Sequence, residues 1–277
     1  MGRPHIEWLQ TQFVPWSRGV PGGMRDDVES KVMSSDSPGD SSRLVRYPAG
    51  WTRALPETLA CDEEFYVLDG ELTINGRRYG PDTYAHLPAG YVRHQQGSAG
   101  GAVLLTFYSA TVSAAPNLPA PDPRRVVEFI DVHQGEWNAD LQAMGLAEIS
   151  QGSRIRLLFK DPANGDMTYL TAAPAFKHET RPETHPVVQE IYVLAGEVAG
   201  NLGLVHAGAY CWRPPEVVHG PYGSKTGALY LLRSVGGPLT TKLRDPVPYT
   251  YYPEHRPVLP PEFKKYGEIP MPRRPRY

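Results

Sequence analysis

The chain has 277 residues, 40% of them hydrophobic, and a formal net charge of −2. That balance supplies no basic footprint for nucleic acid or an anionic membrane surface, and no apolar run approaches the length of a membrane span. Two cysteines, Cys61 and Cys211, are too few for a disulfide framework and read as small hydrophobes in a reducing, cytoplasmic setting. Met1 to Val20 carries Pro4, Glu7 and Pro15 but no continuous apolar core, so no secretory signal is expected there.

Taken in order, residues 1–27 read as an N-terminal arm leading into the first unit, anchored by Trp8, Phe13 and Trp16 and turned by Pro21-Gly22-Gly23. Residues 28–111 form that unit. Its strands are Val28 to Met33, Leu44 to Tyr47, Phe65 to Leu68, Glu71 to Ile74, Gly80 to Leu87 and Ala102 to Tyr108. Asn75-Gly76 between two β-rich runs marks a tight hairpin, because both central residues need positive φ. Pro116, Pro119, Pro121 and Pro123 disfavour helix and ladder alike, so residues 112–125 read as a linker.

A second unit spans residues 126–237, with strands at Arg154 to Phe159, Met167 to Ala172, Glu190 to Leu194, Tyr210 to Arg213 and Ala228 to Val235, and a short helix near Asp140 to Ile149. Residues 238–277 contain ten prolines, basic Arg273, Arg274 and Arg276, and the aromatics Tyr249, Tyr251, Tyr252, Phe263 and Tyr266. That tail is expected to wrap a barrel or a partner subunit rather than fold alone. Many short apolar runs punctuated by Gly and Pro give an all-β fold class, sandwich or barrel.

The two units are copies. Pro182-Glu183-Thr184 repeats Pro56-Glu57-Thr58 at an offset of 126 (182 − 56), and Tyr192-Val193-Leu194 repeats Tyr66-Val67-Leu68. The same register joins Gly39-Asp40 to Gly165-Asp166, Tyr84 to Tyr210 and Pro88 to Pro214. A period this long is the size of a small domain, so each copy should own a core.

Chemistry concentrates in the second copy. Glu183 and His185 are two apart and face one side of a strand; Gln189 lies just beyond a turn, and His219 follows Pro214-Pro215-Glu216-Val217-Val218. Two imidazoles, a carboxylate and an amide oxygen suit one divalent metal per chain, Fe(II), Mn(II), Ni(II) or Zn(II). The first copy reads Glu57, Leu59, Glu63 and Arg93 at the same positions, with His94 one step late. Leucine binds no metal, and Arg93 should pair with Glu57 or Glu63, so this site is expected to be degenerate. The alternative is a first-copy site made of Glu57, Glu63 and His94. Tyr210 and Trp212 are candidate pocket walls, Cys211 is expected to face away from the site, and His178 is a candidate extra ligand.

The spacing resembles the cupin superfamily, with Gly196 fixing the frame of its first motif and Glu216 standing where its second motif carries Gly. The resemblance implies two tandem cupin barrels, that is, double-stranded β-helix jelly rolls, with the metal in the second. Arg156-Leu157-Leu158-Phe159-Lys160-Asp161-Pro162 and His185-Pro186 look most like bacterial cupins related to the zinc-binding domain of anti-sigma factors and to acetylacetone dioxygenase. That likeness implies a mononuclear site, Fe(II) favoured, and oxygen-dependent or lyase chemistry on a small carbonyl or phenolic substrate. Glu183-Thr184-His185 also resembles the ureidoglycine aminohydrolases, which implies a manganese hydrolase as the alternative. A non-catalytic metal-binding or sensor module and a metal-free storage or scaffold cupin are the other classes left open, and cupins imply a homodimer.

Overall fold

The computed structural model describes residues 2–36, 39–137 and 152–267. The helix expected near Asp140 to Ile149, and Arg273, Arg274 and Arg276, lie outside them. The described residues are nearly all β, in two tandem barrels, and no helix among them is long and apolar enough to cross a membrane.

The sequence repeat is a repeat of strands. Moved by 126 positions, Ser41–Tyr47 becomes Met167–Ala173, Glu57–Thr58 becomes Glu183–Thr184, and Thr83–Leu87 becomes Ala209–Arg213. The main sheet of the first barrel runs Val127–Asp131, Thr83–Leu87, Glu63–Gly70, Ala102–Tyr108, Ser41–Tyr47, Glu29–Ser35, Ser17–Arg18. In the second barrel the order is Ile6–Gln10, Ala209–Arg213, Val188–Gly200, Ala228–Val235, Met167–Ala173, Arg154–Lys160. Alternate side chains of these strands point inward; Val45, Phe65, Val67 and Leu104 fill the first core, and Ile191, Val193, Cys211 and Trp8 part of the second.

Both barrels cover the same exposed edge, and this moves the domain boundaries away from those read in the sequence. Thr83–Leu87 is covered by Val127–Asp131, so residues 126–135 belong to the first barrel instead of opening the second. Ala209–Arg213 is covered by Ile6–Gln10, so residues 4–13 of the arm belong to the second barrel and do not lead into the first. An uncovered edge is a row of unpaired backbone groups, and each barrel borrows a strand from outside its repeat to satisfy them. The tail, as far as it is described, belongs to the second barrel: Lys242–Leu243 pairs with Glu183–Thr184, and Tyr249 and Tyr251 pack on His178.

Backbone conformation has been kept where side chains have not. Left-handed φ recurs at Gly50 and Phe176 (78° and 58°), Asp82 and Gly208 (62° and 90°), and Gly90 and Glu216 (85° and 63°). The Asn75-Gly76 hairpin has the two positive φ values it requires, 53° and 77°. Gly70 and Gly196 need glycine for a second reason. An added Cβ would lie 2.1 Å from the Gly101 carbonyl oxygen in one and 2.0 Å from that of Gly227 in the other. Gly196→Ala should therefore destabilise the second barrel by about 1–3 kcal/mol or more in denaturant unfolding, since strained φ and a backbone clash add. Glu216→Gly, which relieves a left-handed glutamate at φ 63°, should leave stability unchanged or raise it by up to about 1 kcal/mol in the same measurement.

Candidate metal centre

The second barrel gathers Glu183, His185 and His219, all buried, with their ligand atoms within 4.8 Å of one another. Glu183 and His219 are brought together by a β-bridge whose backbone bonds run both ways, 2.9 and 3.0 Å. His185 is held over them by Glu216, whose amide donates to the His185 carbonyl at 2.8 Å. The left-handed turn at Glu216 is what delivers that contact, which explains why a glycine-like conformation survives without the glycine.

Both imidazoles have a fixed tautomer. His185 Nδ1 lies 3.0 Å from the Thr240 carbonyl oxygen and His219 Nδ1 lies 2.9 Å from that of Val217. A carbonyl only accepts, so each Nδ1 carries the proton and each Nε2 presents a lone pair inward. Those Nε2 atoms lie 3.6 and 3.3 Å from Glu183 Oε1. His219 Nε2 has no aligned hydrogen bond, and Glu183 Oε2 is buried without a partner. Burial pushes the Glu183 carboxyl up, and only positive charge at the two facing Nε2 atoms, donating to it and attracting it, would hold it at about 2. Burial first, then the Arg213 charge, pushes the His219 imidazole below its ordinary value. A cation at the Nε2 lone pairs would supply that positive charge, with the carboxylate ionised and the imidazoles neutral, which are the protonation states that metal ligation requires.

Gln189 departs from the ligand role read in the sequence. Arg213 Nη1 donates to Gln189 Oε1 at 2.5 Å, and because a guanidinium has no acceptor, this fixes the amide orientation. The amide nitrogen then faces His185 Nε2 at 3.3 Å. The oxygen expected on the metal is therefore occupied, and the amide N–H donates to the His185 Nε2 lone pair, so a cation held by Glu183, His185 and His219 would displace that contact. Arg213 in turn is gripped by Glu7 from the N-terminal strand, at 2.9 Å from Nε and 2.6 Å from Nη2, both groups about 1% exposed. Burial opposes the Glu7 charge, yet Arg213 and His5 hold the Glu7 carboxyl at about 2. Sequence reasoning missed Glu7, Arg213 and Trp8.

The parity of one strand accounts for further differences. Gln189 pairs directly with Arg213 and Ile191 with Cys211, so Arg213 and Cys211 face inward. Cys211, expected to point away, sits in the core; Tyr210 and Trp212, expected to wall the pocket, face the other side, where the Tyr210 hydroxyl donates to Glu190. The first copy held the signal, since its Ala85 and Leu87 are the positions that become 211 and 213. His178 is exposed, stacks on Tyr249 with ring centres 4.9 Å apart and approaches Tyr251, away from the cluster.

Beside the cluster lies a cavity of about 80 Å3, lined by Trp8, Tyr169, Ile191, Tyr230 and Leu232 together with Glu183. Glu179 and Lys177 give it one polar side, their charged groups 3.7 Å apart. Burial, and then the Glu183 charge, raise the Glu179 carboxyl to about 7.

The corresponding place in the first barrel is filled by arginines. Arg25 reaches Glu63 at 2.7 Å and Glu57 at 2.8 Å; Arg93 reaches Glu63 at 2.8 Å, and Arg53 reaches Glu57 at 2.8 Å. Leu59 is buried in the core, and the His94 amide donates to Asn75. Two carboxylates are thus neutralised by guanidinium groups where a cation would sit.

Comparison with known proteins follows this division. Residues 134–236 match the family model of the ChrR cupin-like domain. No curated protein sequence matches the chain. Among solved structures, a Nostoc punctiforme protein assigned as a dioxygenase superposes with TM-score 0.75 at 17% identity, over 90% of this chain and 92% of that one. Oxalate decarboxylase from Bacillus subtilis gives 0.55 at 13%, over 87% and 79%. Protein YlbA of E. coli gives 0.57 at 12%, over 83% and 90%. At these identities the likeness is one of fold.

The first-barrel pairs make a pH prediction. Burial raises the Glu57 carboxyl, but Arg25 outweighs it and holds it at about 2 against an ordinary 4.5. A depressed carboxylate contributes stability fully present above the unfolded value and lost as pH falls toward the folded one. In urea unfolding between pH 4.5 and about 2, Glu57→Gln should give a shallower acid limb, by about one proton, than the wild-type chain.

Proposed function

We propose that this chain, a two-barrel protein of cupin fold whose second barrel is a ChrR cupin-like domain, is a metal-dependent enzyme. Its substrate would be a small carbonyl or phenolic compound in the second-barrel cavity. The observation that carries the reading is the state of Glu183. It is a buried carboxyl with one oxygen unpartnered, and among the described residues only two imidazoles, each presenting a lone pair, lie within ion-pair range. A buried charge left so is costly, and a divalent cation held by Glu183 Oε, His185 Nε2 and His219 Nε2 would neutralise it.

A two-histidine, one-carboxylate donor set leaves coordination positions open and is the set of non-haem Fe(II) oxygenases, so Fe(II) is favoured over Mn(II), Ni(II) or Zn(II). Such an ion, when bound, supplies Lewis acidity to substrate oxygens and redox chemistry toward dioxygen. The chain's own residues do the rest. Thr240 and Val217 carbonyls aim the imidazoles, and Arg213 holds the oxygen of Gln189, whose N–H would give up the His185 Nε2 lone pair to the cation. The apolar and aromatic walls exclude water from the reacting centre. Oxygen-dependent cleavage of a carbon–carbon bond is the favoured reaction, supported by the fold likeness to a protein assigned as a dioxygenase. A sensor module is favoured only by the family match. The cavity beside the cluster supports catalysis, since a purely structural site is closed.

Protein purified without chelator should carry about one metal ion per chain by elemental analysis, and His185→Ala or His219→Ala should remove it with the fold intact by circular dichroism. Undiminished metal in both variants would sink the reading. Turnover of β-diketones or catechols by the Fe(II) protein should be lost under nitrogen; equal turnover in air and nitrogen would transfer the assignment to a lyase or hydrolase.

A further inference from the structure

Lys177 and Glu179 are the charged residues of the second-barrel cavity that the metal reading leaves unused. Strand parity puts them there. Lys177–His178 pairs with Gly223–Ser224, and the pairing runs on through the Glu179 amide, which donates to the Tyr222 carbonyl at 2.8 Å. Alternate residues of an extended segment face opposite sides. His178 accordingly turns onto Tyr249 and Tyr251, while Lys177 and Glu179, on the other side, line the cavity together with Glu183 of the metal cluster.

The pair is held in place and still reachable. Lys177 Nζ donates to Ser153 Oγ at 2.7 Å and lies 3.7 Å from Glu179 Oε1, and the Tyr222 amide donates to Glu179 Oε2 at 3.2 Å. An ammonium has three N–H donors, so Lys177 keeps one beyond these two partners. The two side chains retain 16% and 25% exposure, against 1% for Arg213 and Glu7, so this polar end of the cavity is open to a ligand. The titratable groups around the Glu179 carboxyl are Lys177, Glu183, Tyr222, Tyr230 and Tyr249. Burial pushes all three tyrosine hydroxyls up, so they stay neutral, and the charges facing Glu179 are those of Lys177 and Glu183. A cation at Glu183 would cancel the second cause of the raised Glu179 carboxyl and leave the first, burial, in force.

A carboxylate poised near neutral pH, beside an ammonium and within apolar walls, is suited to remove a proton and hold the anion that forms. A phenol exchanges its hydroxyl proton with water unaided, whereas a carbon acid needs a positioned base. We propose that Glu179 is the general base of the second-barrel site, acting on an enolisable carbonyl ligand, and that Lys177 donates to the enolate oxygen. The proton passes from the carbon beside the carbonyl to a Glu179 carboxylate oxygen. The C–H electron pair becomes the C=C bond, and the carbonyl π pair moves onto the oxygen that faces Lys177. The inference rests on the preceding reading of the cavity as a substrate site, and it narrows that reading from carbonyl or phenolic compounds to enolisable carbonyls.

The test uses the full chain loaded with Zn(II), in deuterium oxide under nitrogen, with pentane-2,4-dione as the probe and loss of its central C–H signal by NMR as the readout. Wild-type protein should exchange that position faster than the same concentration of free Zn(II). The deprotonated form of Glu179 is the active one, so the rate should rise with pH through one ionisation between the ordinary 4.5 and about 7. Glu179→Gln should keep its zinc and bind the probe while exchange falls by about a hundredfold or more, the usual contribution of a general base. Lys177→Met removes the cation that lowers the Glu179 carboxyl, so it should move the midpoint of the pH profile upward and weaken probe binding. Undiminished exchange in Glu179→Gln, or a wild type that binds the probe without speeding exchange, would overturn this inference and leave the metal reading standing. Should Glu179→Gln fail to fold, Lys177→Met decides, and an unmoved or lowered midpoint overturns the inference. A wild type that takes up zinc but binds no dione overturns the enolisable-carbonyl class alone, whereas a chain that takes up no zinc sinks the metal reading and this inference together.

Discussion

The second barrel's chemistry depends on one buried ion pair, Glu7 with Arg213. Both groups are almost wholly out of water, and the guanidinium also reaches Gln189 and the Tyr222 hydroxyl. Breaking such a pair by deleting one partner typically costs about 3–5 kcal/mol, because the other charge stays buried and uncompensated. The pair fixes more than stability. It spends the charge of Arg213 on Glu7, so Glu183 receives none of it directly and stays free for a cation. It fixes the N-terminal strand against Ala209–Arg213, which puts Trp8 into the cavity. It also sets the amide orientation of Gln189.

The two barrels show what the same scaffold does when arginine is placed differently. In the first, Arg25 and Arg93 lie within salt-bridge distance of Glu63, and Arg25 and Arg53 of Glu57. Burial drives the Arg25 pKa one way and the surrounding carboxylates drive it further the other, so its charge is secure. A guanidinium there does permanently what a metal ion would do reversibly, and it brings no open coordination position. The difference between the barrels is thus one of who carries the positive charge, at nearly constant backbone.

Much of this was legible in the chain. The offset of 126 predicts the strand correspondence, and the comparison of copies singles out Glu183, His185 and His219, which the fold brings together. The misread parts share a cause, dependence on partners remote in sequence. Glu7 is 206 positions from Arg213, and no local pattern announces that an arm residue enters the other barrel. Strand parity at Tyr210 to Arg213 could have been taken from the first copy, where Leu87 pairs with Glu63. The domain edges were misplaced because composition marks where a chain is stiff, and Val127–Asp131 is defined instead by an edge that needs covering.

Gln189 is the position where these threads meet. Its counterpart, Glu63, is a full charge held by two arginines. A glutamate at 189 opposite Arg213 would compete with Glu7 for the guanidinium and add a second buried carboxylate beside Glu183. Glutamine accepts the Arg213 hydrogen bond without that charge and turns its N–H toward His185. The substitution that looks like a weakened ligand is better understood as charge separation. Arginine and Glu7 form one neutral unit, Glu183 and the two imidazoles form a site with net negative charge, and the neutral amide between them keeps the two apart.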